Sequence, residues 1–161
     1  EHKDSMGNGS TVPAGGVQYM SAGAGVTHSE FNPSATNRVR LLQIWLLPNV
    51  LGEAPCYDTL QIPAADKDGR LKLFLSPNGR DGSIQFKASA DIHAATLSGD
   101  QAIDFDLRNG RRGWIQVARG SLMVNGQELE KGDGLAVSES GLLQFSNGKG
   151  AEFILFDMEA Q

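Results

Sequence analysis

The sequence predicts an all-β chain, a sandwich or barrel, on three observations. Turn-forming residues are dense: the 161 residues include 20 glycines and 6 prolines, with Asn-Gly at 8–9, 78–79, 109–110 and 125–126. Asn-Gly tolerates positive φ and marks tight hairpins. Between the turns lie short runs with strand character, and few segments beyond ten residues keep a helical period of 3.6. Finally, the two halves repeat: the run Asn8 to Gly15 matches the run Asn125 to Gly132 at a constant offset of 117, the mark of a duplicated unit.

The elements follow in order. Val17-Gln18-Tyr19-Met20-Ser21 reads as a strand and lies opposite 134–138 in the repeat. The run 39–47 carries Leu41, Leu42, Ile44, Trp45, Leu46 and Leu47. It is too apolar for one face, which predicts a strand covered on both sides with Trp45 in the core. Shorter apolar runs predict strands at 71–75 and 84–88. In 102–107, Ile103, Phe105 and Leu107 alternate with Asp104 and Asp106, a half-buried strand with a solvated face. Trp114 heads 113–117 as a core residue, 121–124 leads into Asn125-Gly126, and 135–137, 142–145 and 153–156 complete the set. The run 39–45 falls opposite 151–157.

Composition narrows the function. Hydrophobic residues make up 40% and charged residues 20%, so the chain is globular rather than disordered. Net charge is −5, and no basic stripe exists to meet phosphates, which argues against nucleic acid. The one basic cluster, Arg108-Asn109-Gly110-Arg111-Arg112, reads as a solvated turn. No apolar run approaches the ~20 residues of a membrane span. A single cysteine, Cys56, excludes an internal disulfide and suits a cytoplasmic protein. It has no nearby histidine and reads as a half-buried structural thiol.

The best chemical lead is Ala22-Gly23-Ala24-Gly25-Val26-Thr27-His28-Ser29-Glu30. The glycines let the backbone turn sharply. If extended backbone resumes after them, His28 and Glu30, at i and i+2, share a face and offer two ligands to a divalent metal. A surface His-x-Glu pair is the bland alternative. Two ligands are half a site. The repeat sets His28 opposite Phe145 and Glu30 opposite Asn147, so any metal belongs to the first copy. His2 reads as an exposed strand histidine and His93 as structural. Gly23-x-Gly25 lacks the following helix of a phosphate loop.

Several segments resemble the pirin family of bicupins, especially bacterial pirin-like proteins of the quercetin 2,3-dioxygenase type. They are Glu1-His2-Lys3-Asp4-Ser5-Met6-Gly7-Asn8, the run from Val17 through His28-Ser29-Glu30-Phe31-Asn32, Leu42-Gln43-Ile44-Trp45, and the run Leu75 to Ser83. The resemblance implies two cupin barrels, with a metal, commonly iron, held in the first by three histidines and one glutamate. His28 and Glu30 match the third histidine and the glutamate. The other two come from a His-x-His upstream of position 1. The expected architecture is thus a bicupin with a truncated first barrel at 1–65 and a second barrel without metal ligands at 66–161.

Three functions are compatible with this. One is ring-cleaving oxygenation of a flavonol with release of carbon monoxide, Glu30 taking the substrate's hydroxyl proton. The half-site then implies weak metal binding and an inactive isolated chain. Another is a non-catalytic, protein-binding regulator. The third is a fragment, favoured by an opening without initiator methionine. An uncovered half-barrel is expected to pair with the missing N-terminal segment or with a second chain.

Overall fold

Alternating apolar and polar residues between tight turns make strands, and thirteen form in the computed structural model, which describes residues 1–160. They are β1 (His2–Asp4), β2 (Gly9–Ser10), β3 (Gly16–Ser21), β4 (His28–Glu30), β5 (Cys56–Gln61), β6 (Lys72–Ser76), β7 (Ile84–Gln85), β8 (Ala90–Leu97), β9 (Ile103–Leu107), β10 (Arg111–Val124), β11 (Gln127–Glu130), β12 (Gly134–Val137) and β13 (Gly141–Glu159). The α-helix among the described residues is one turn, Ala64–Lys67. The all-β expectation holds.

The strands form three sheets. The largest has eight strands in the order β11-β10-β13-β8-β6-β7, with β12 also on β10 and β9 also on β13. One side of it buries a cluster including Leu97, Ile115, Val117 and Leu155, and the rings of Phe145 and Phe153 stack there with centroids 4.9 Å apart. The segments 113–117 and 121–124 form a single strand, β10, because bulges between Val117 and Met123 absorb the irregularity without ending the ladder. Gly120, at φ +66°, permits this; a Cβ there would meet the Lys149 and Gly150 carbonyls at 2.5 and 2.4 Å. The segments 142–145 and 153–156 likewise merge into β13.

The opposite side of this sheet buries a second cluster, with Phe74, Ile92 and Phe156, capped by Val17, Tyr19 and Leu60 from the two-stranded β3–β5 sheet. Side chains alternate across a strand. Val17 and Tyr19 therefore serve this cluster while Gln18 faces away, toward the three-stranded sheet β2-β1-β4. Tyr19 sets its ring edge-on to Phe86, and its hydroxyl accepts the Lys87 N–H at 3.2 Å. Burial raises the Tyr19 pKa above its ordinary value.

Four expectations need correction. Residues 31–55 contain no strand or helix, so the strand at 39–47 does not form. A strand needs a neighbouring backbone to pair with, and no described strand is paired with this run. Leu42, Ile44 and Leu46 instead lean over Trp114, Phe156 and Met158, leaving a groove of about 390 Å³. Trp45 is not core: it and Leu47 are each 87% exposed. Trp114 is 38% exposed, lying over the bare backbone of Gly134, where a Cβ would sit 2.2 Å from the indole. The basic cluster is more than a solvated turn, since Arg111 donates to the buried Asp157 carboxylate at 2.7 Å. Cys56 is half-buried, as expected, and so is His93. Its Nδ1 is enclosed without a hydrogen-bond partner among the described residues, and burial pushes its pKa below the ordinary value.

Candidate metal centre

The short sheet β2-β1-β4 carries the site. In antiparallel register His2 lies opposite Glu30 and Asp4 opposite His28. Residues two apart share a face, so His2, Asp4, His28 and Glu30 occupy one face of two paired strands. The His2 and His28 rings stack with centroids 5.8 Å apart. The preceding turn fixes where β4 begins. Gly23 and Gly25 adopt φ +52° and +134°. Ala24 N–H donates to the Glu53 carbonyl at 3.0 Å, and Ser5 N–H to the Thr27 carbonyl at 2.9 Å.

His2 is not an exposed strand histidine. It is 1% exposed, covered by Tyr57 of β5, whose ring stacks on it at 4.6 Å. The sequence held a signal for it, because His2-x-Asp4 has the same i, i+2 spacing as His28-x-Glu30. What was missing was the cover, which comes from a strand far along the chain.

Hydrogen bonds link His2, Asp4 and Glu30 by way of Gln18. His2 Nε2 donates to Asp4 Oδ2 at 3.2 Å. Gln18 Nε2 donates to Glu30 Oε1 at 2.6 Å and lies 3.1 Å from His2 Nδ1. Tyr57 O–H donates to Gln18 Oε1 at 3.3 Å, and its oxygen also contacts the Ser10 hydroxyl. Asp4 closes the turn to β2 by accepting the Met6 and Asn8 N–H groups at 2.9 Å each, with the Asn8 side-chain amide also at 2.9 Å.

Burial raises the Asp4 pKa, but hydrogen bonds from Asn8, His2 and Met6 outweigh it and hold the group at about 2 against an ordinary 3.8. A depressed carboxylate stabilises the fold above its unfolded pKa and loses that contribution as pH falls through the folded one. The stability difference between the native chain and Asp4→Asn is therefore expected to be constant above about pH 5. It should shrink between about pH 4 and pH 2. Urea unfolding across that range reads it, and a difference independent of pH contradicts it.

As donors, a neutral imidazole and a carboxylate suit a divalent transition metal. Among the described residues no group of three His, Cys, Asp or Glu is arranged to hold one. His28 and Glu30 are two candidate donors on one face, with one Glu30 oxygen already taken by Gln18.

Comparison with known proteins places the chain in a family. The pirin family model matches residues 1–46, and the model of the quercetinase C-terminal cupin domain matches residues 73–158. A quercetin 2,3-dioxygenase of Escherichia coli K12 is 39% identical over 158 residues, spanning 98% of this chain and 67% of that protein. A pirin-like protein of Caulobacter vibrioides is 31% identical, over 97% of this chain and 67% of that one. Among solved structures, YhhW from Escherichia coli superposes with a TM-score of 0.91 at 38% identity, covering 99% of this chain and 67% of YhhW. Its complex with nickel(II) gives 0.91 at 37%, covering 100% and 68%. The chain spans about two thirds of the length of these relatives. With identities above 30% along nearly its whole length, and a cupin β-fold shared with YhhW, the chain belongs to the pirin family.

Proposed function

We propose that this chain carries part of the metal site of a pirin-type quercetin 2,3-dioxygenase, with His28 and Glu30 as metal ligands and Glu30 also as the base. The observation that supports this most is the placement of both side chains on one face of β4, with the Glu30 carboxylate tethered by Gln18. The relative YhhW has been crystallised with nickel(II). Here we assign a divalent metal, iron in the resident enzyme, completed by ligands from outside the described residues. The proposed cupin units divide near residue 65, and the metal belongs to the first.

When bound, the metal supplies Lewis acidity and a template for a flavonol-like substrate. The chain's own residues do the rest. His28 and Glu30 anchor and orient it, and Glu30 takes the substrate's hydroxyl proton. Two ligands leave most of the coordination sphere to water, so the isolated chain is expected to bind metal weakly. It should show no oxygen uptake with quercetin, because an unanchored metal cannot position two reactants together.

The test is an iron(II) or nickel(II) titration with and without a second polypeptide bearing His-x-His. Affinity should rise at least about tenfold on its addition, and His28→Ala should erase the gain. Stoichiometric tight iron in this chain alone, with quercetin-dependent oxygen uptake lost in Glu30→Ala, contradicts the reading.

A non-catalytic, protein-binding role is the second reading. It is supported by the exposed apolar run that includes Leu41, Trp45, Leu47 and Leu51, a surface of the kind that marks interaction sites.

A further inference from the structure

We infer that Gln18 sets the orientation of Glu30, and that Asp4 and His2 stand behind it as positioning residues by fixing which way the Gln18 amide faces. The inference rests on Glu30 as the working carboxylate of the proposed site.

A glutamine amide can be turned by 180°, exchanging two donors for an acceptor. Its surroundings decide which way it sits. At Gln18 the decision begins at Asp4. Its carboxylate is held by the Met6 and Asn8 N–H groups and can only accept. His2 Nε2, 3.2 Å away, therefore carries the proton. In a neutral imidazole the other nitrogen, Nδ1, is then an acceptor. It faces Gln18 Nε2 at 3.1 Å, and the second N–H of the same amide reaches Glu30 Oε1 at 2.6 Å. The Tyr57 O–H fits this orientation, donating to Gln18 Oε1 at 3.3 Å. A flipped amide would set its oxygen against two acceptors, His2 Nδ1 and Glu30 Oε1. His2 and Glu30 thus select one orientation, and the Tyr57 hydroxyl, able to donate or accept, accommodates it.

The line runs from Asp4 through His2 and Gln18 to Glu30, across three strands and two sheets. Tyr57 stacked on His2 keeps the ring from turning. Glu30 is left with Oε1 engaged and Oε2 to serve as the metal-binding or proton-accepting oxygen. Outer partners of this kind orient ligands before the metal arrives, and their loss costs 10–100-fold in affinity.

Long-range 1H–15N spectra of the full labelled chain, free of metal at neutral pH, test the line directly. His2 is expected as the Nε2–H tautomer, with Nδ1 shifted as a hydrogen-bond acceptor. Gln18→Met, of similar shape, should move Nδ1 toward the unbonded position and average the Glu30 carboxyl signal. Tyr57→Phe keeps the ring on His2 and removes only the hydroxyl. It should shift the Gln18 amide signals and leave the His2 tautomer unchanged. In a nickel(II) titration, Gln18→Met should weaken binding about tenfold while His28 still responds to the ion. An Nδ1–H tautomer in the native chain overturns the inference. So does a Gln18→Met variant whose His2 and Glu30 signals match the native ones. If nickel(II) leaves the Glu30 signal unmoved while the tautomer and its dependence on Gln18 hold, the positioning stands and the metal reading fails.

Discussion

Asp157→Ala is expected to cost the fold about 3 kcal/mol, at the low end of the penalty for breaking a buried ion pair. Asp157 is 2% exposed on β13. It accepts from Arg111 Nε at 2.7 Å, while Arg111 Nη2 donates to the Asp157 carbonyl at 2.6 Å. Directly across the ladder lies Asp91 on β8. Two buried carboxylates side by side repel, and the guanidiniums hold them together. Arg80 donates to Asp91 at 2.8 Å, and Arg111 Nη2 lies 3.9 Å from Asp91. Burial raises the Asp91 pKa, but the hydrogen bond and charge of Arg80, with the charge of Arg111, hold it below the ordinary value.

Deleting Asp157 strips Arg111 of its main partner in a site that is mostly closed to water. Asp91 can take part of that role, which places the loss at the low end. For a chain of this length the loss corresponds to a midpoint lowered by about 6–12 °C. The double variant Asp157→Leu with Arg111→Met removes both charges and should cost less than Asp157→Ala alone. Guanidinium unfolding with an unchanged slope measures both. A loss under about 1 kcal/mol for Asp157→Ala would mean that the pair contributes no more than a surface one.

Gly23→Ala should cost about 2–5 kcal/mol, and it acts on the site as well as on stability. The residue has φ +52°, a strained region for a side chain, worth about 1–2 kcal/mol. An added Cβ would lie 2.2 Å from the Glu53 carbonyl oxygen and 2.8 Å from the Pro55 nitrogen. Both are backbone atoms, so the 53–55 segment must move, adding about 1–3 kcal/mol of overpacking. That segment also accepts the Ala24 N–H, so the turn that delivers His28 and Glu30 moves with it. Gly25 is the control. Its φ is +134°, but a Cβ there meets nothing within 4 Å. Gly25→Ala should therefore cost only the conformational part. Thermal unfolding separates the two variants, and equal losses would rule out the steric contribution.

Much of this was legible because it is local. The Asn-Gly at 125–126 makes the hairpin between β10 and β11, with Asn125 at φ 47° and Gly126 at φ 81°. The alternation in 103–107 gives β9, with Ile103 and Leu107 buried and Asp104 and Asp106 exposed. The i, i+2 spacing of His28 and Glu30 places them on one face once β4 is extended. The run 39–47 failed for a related reason. Hydrophobicity says that a segment should be covered, but hydrogen-bonded pairing needs a second backbone, which the segment's own residues do not specify. Trp45 was assigned to the core on apolarity alone, and its neighbours put it in water.

By itself the sequence determined that the chain is built of strands, which turns join them, and that His28 and Glu30 are the residues to examine for a metal. Only the tertiary structure decided that His2 is buried, that Gln18 reaches Glu30, and that Arg111 and Asp157 form a closed ion pair. The reason is physical. Turn chemistry and side-chain alternation act within a few residues, so they are written along the chain. Burial, amide orientation and ion pairing depend on which distant strands meet: Tyr57 covers His2 across 55 positions, and Asp157 meets Arg111 across 46. Such meetings are fixed by the packing of whole sheets rather than by any one segment.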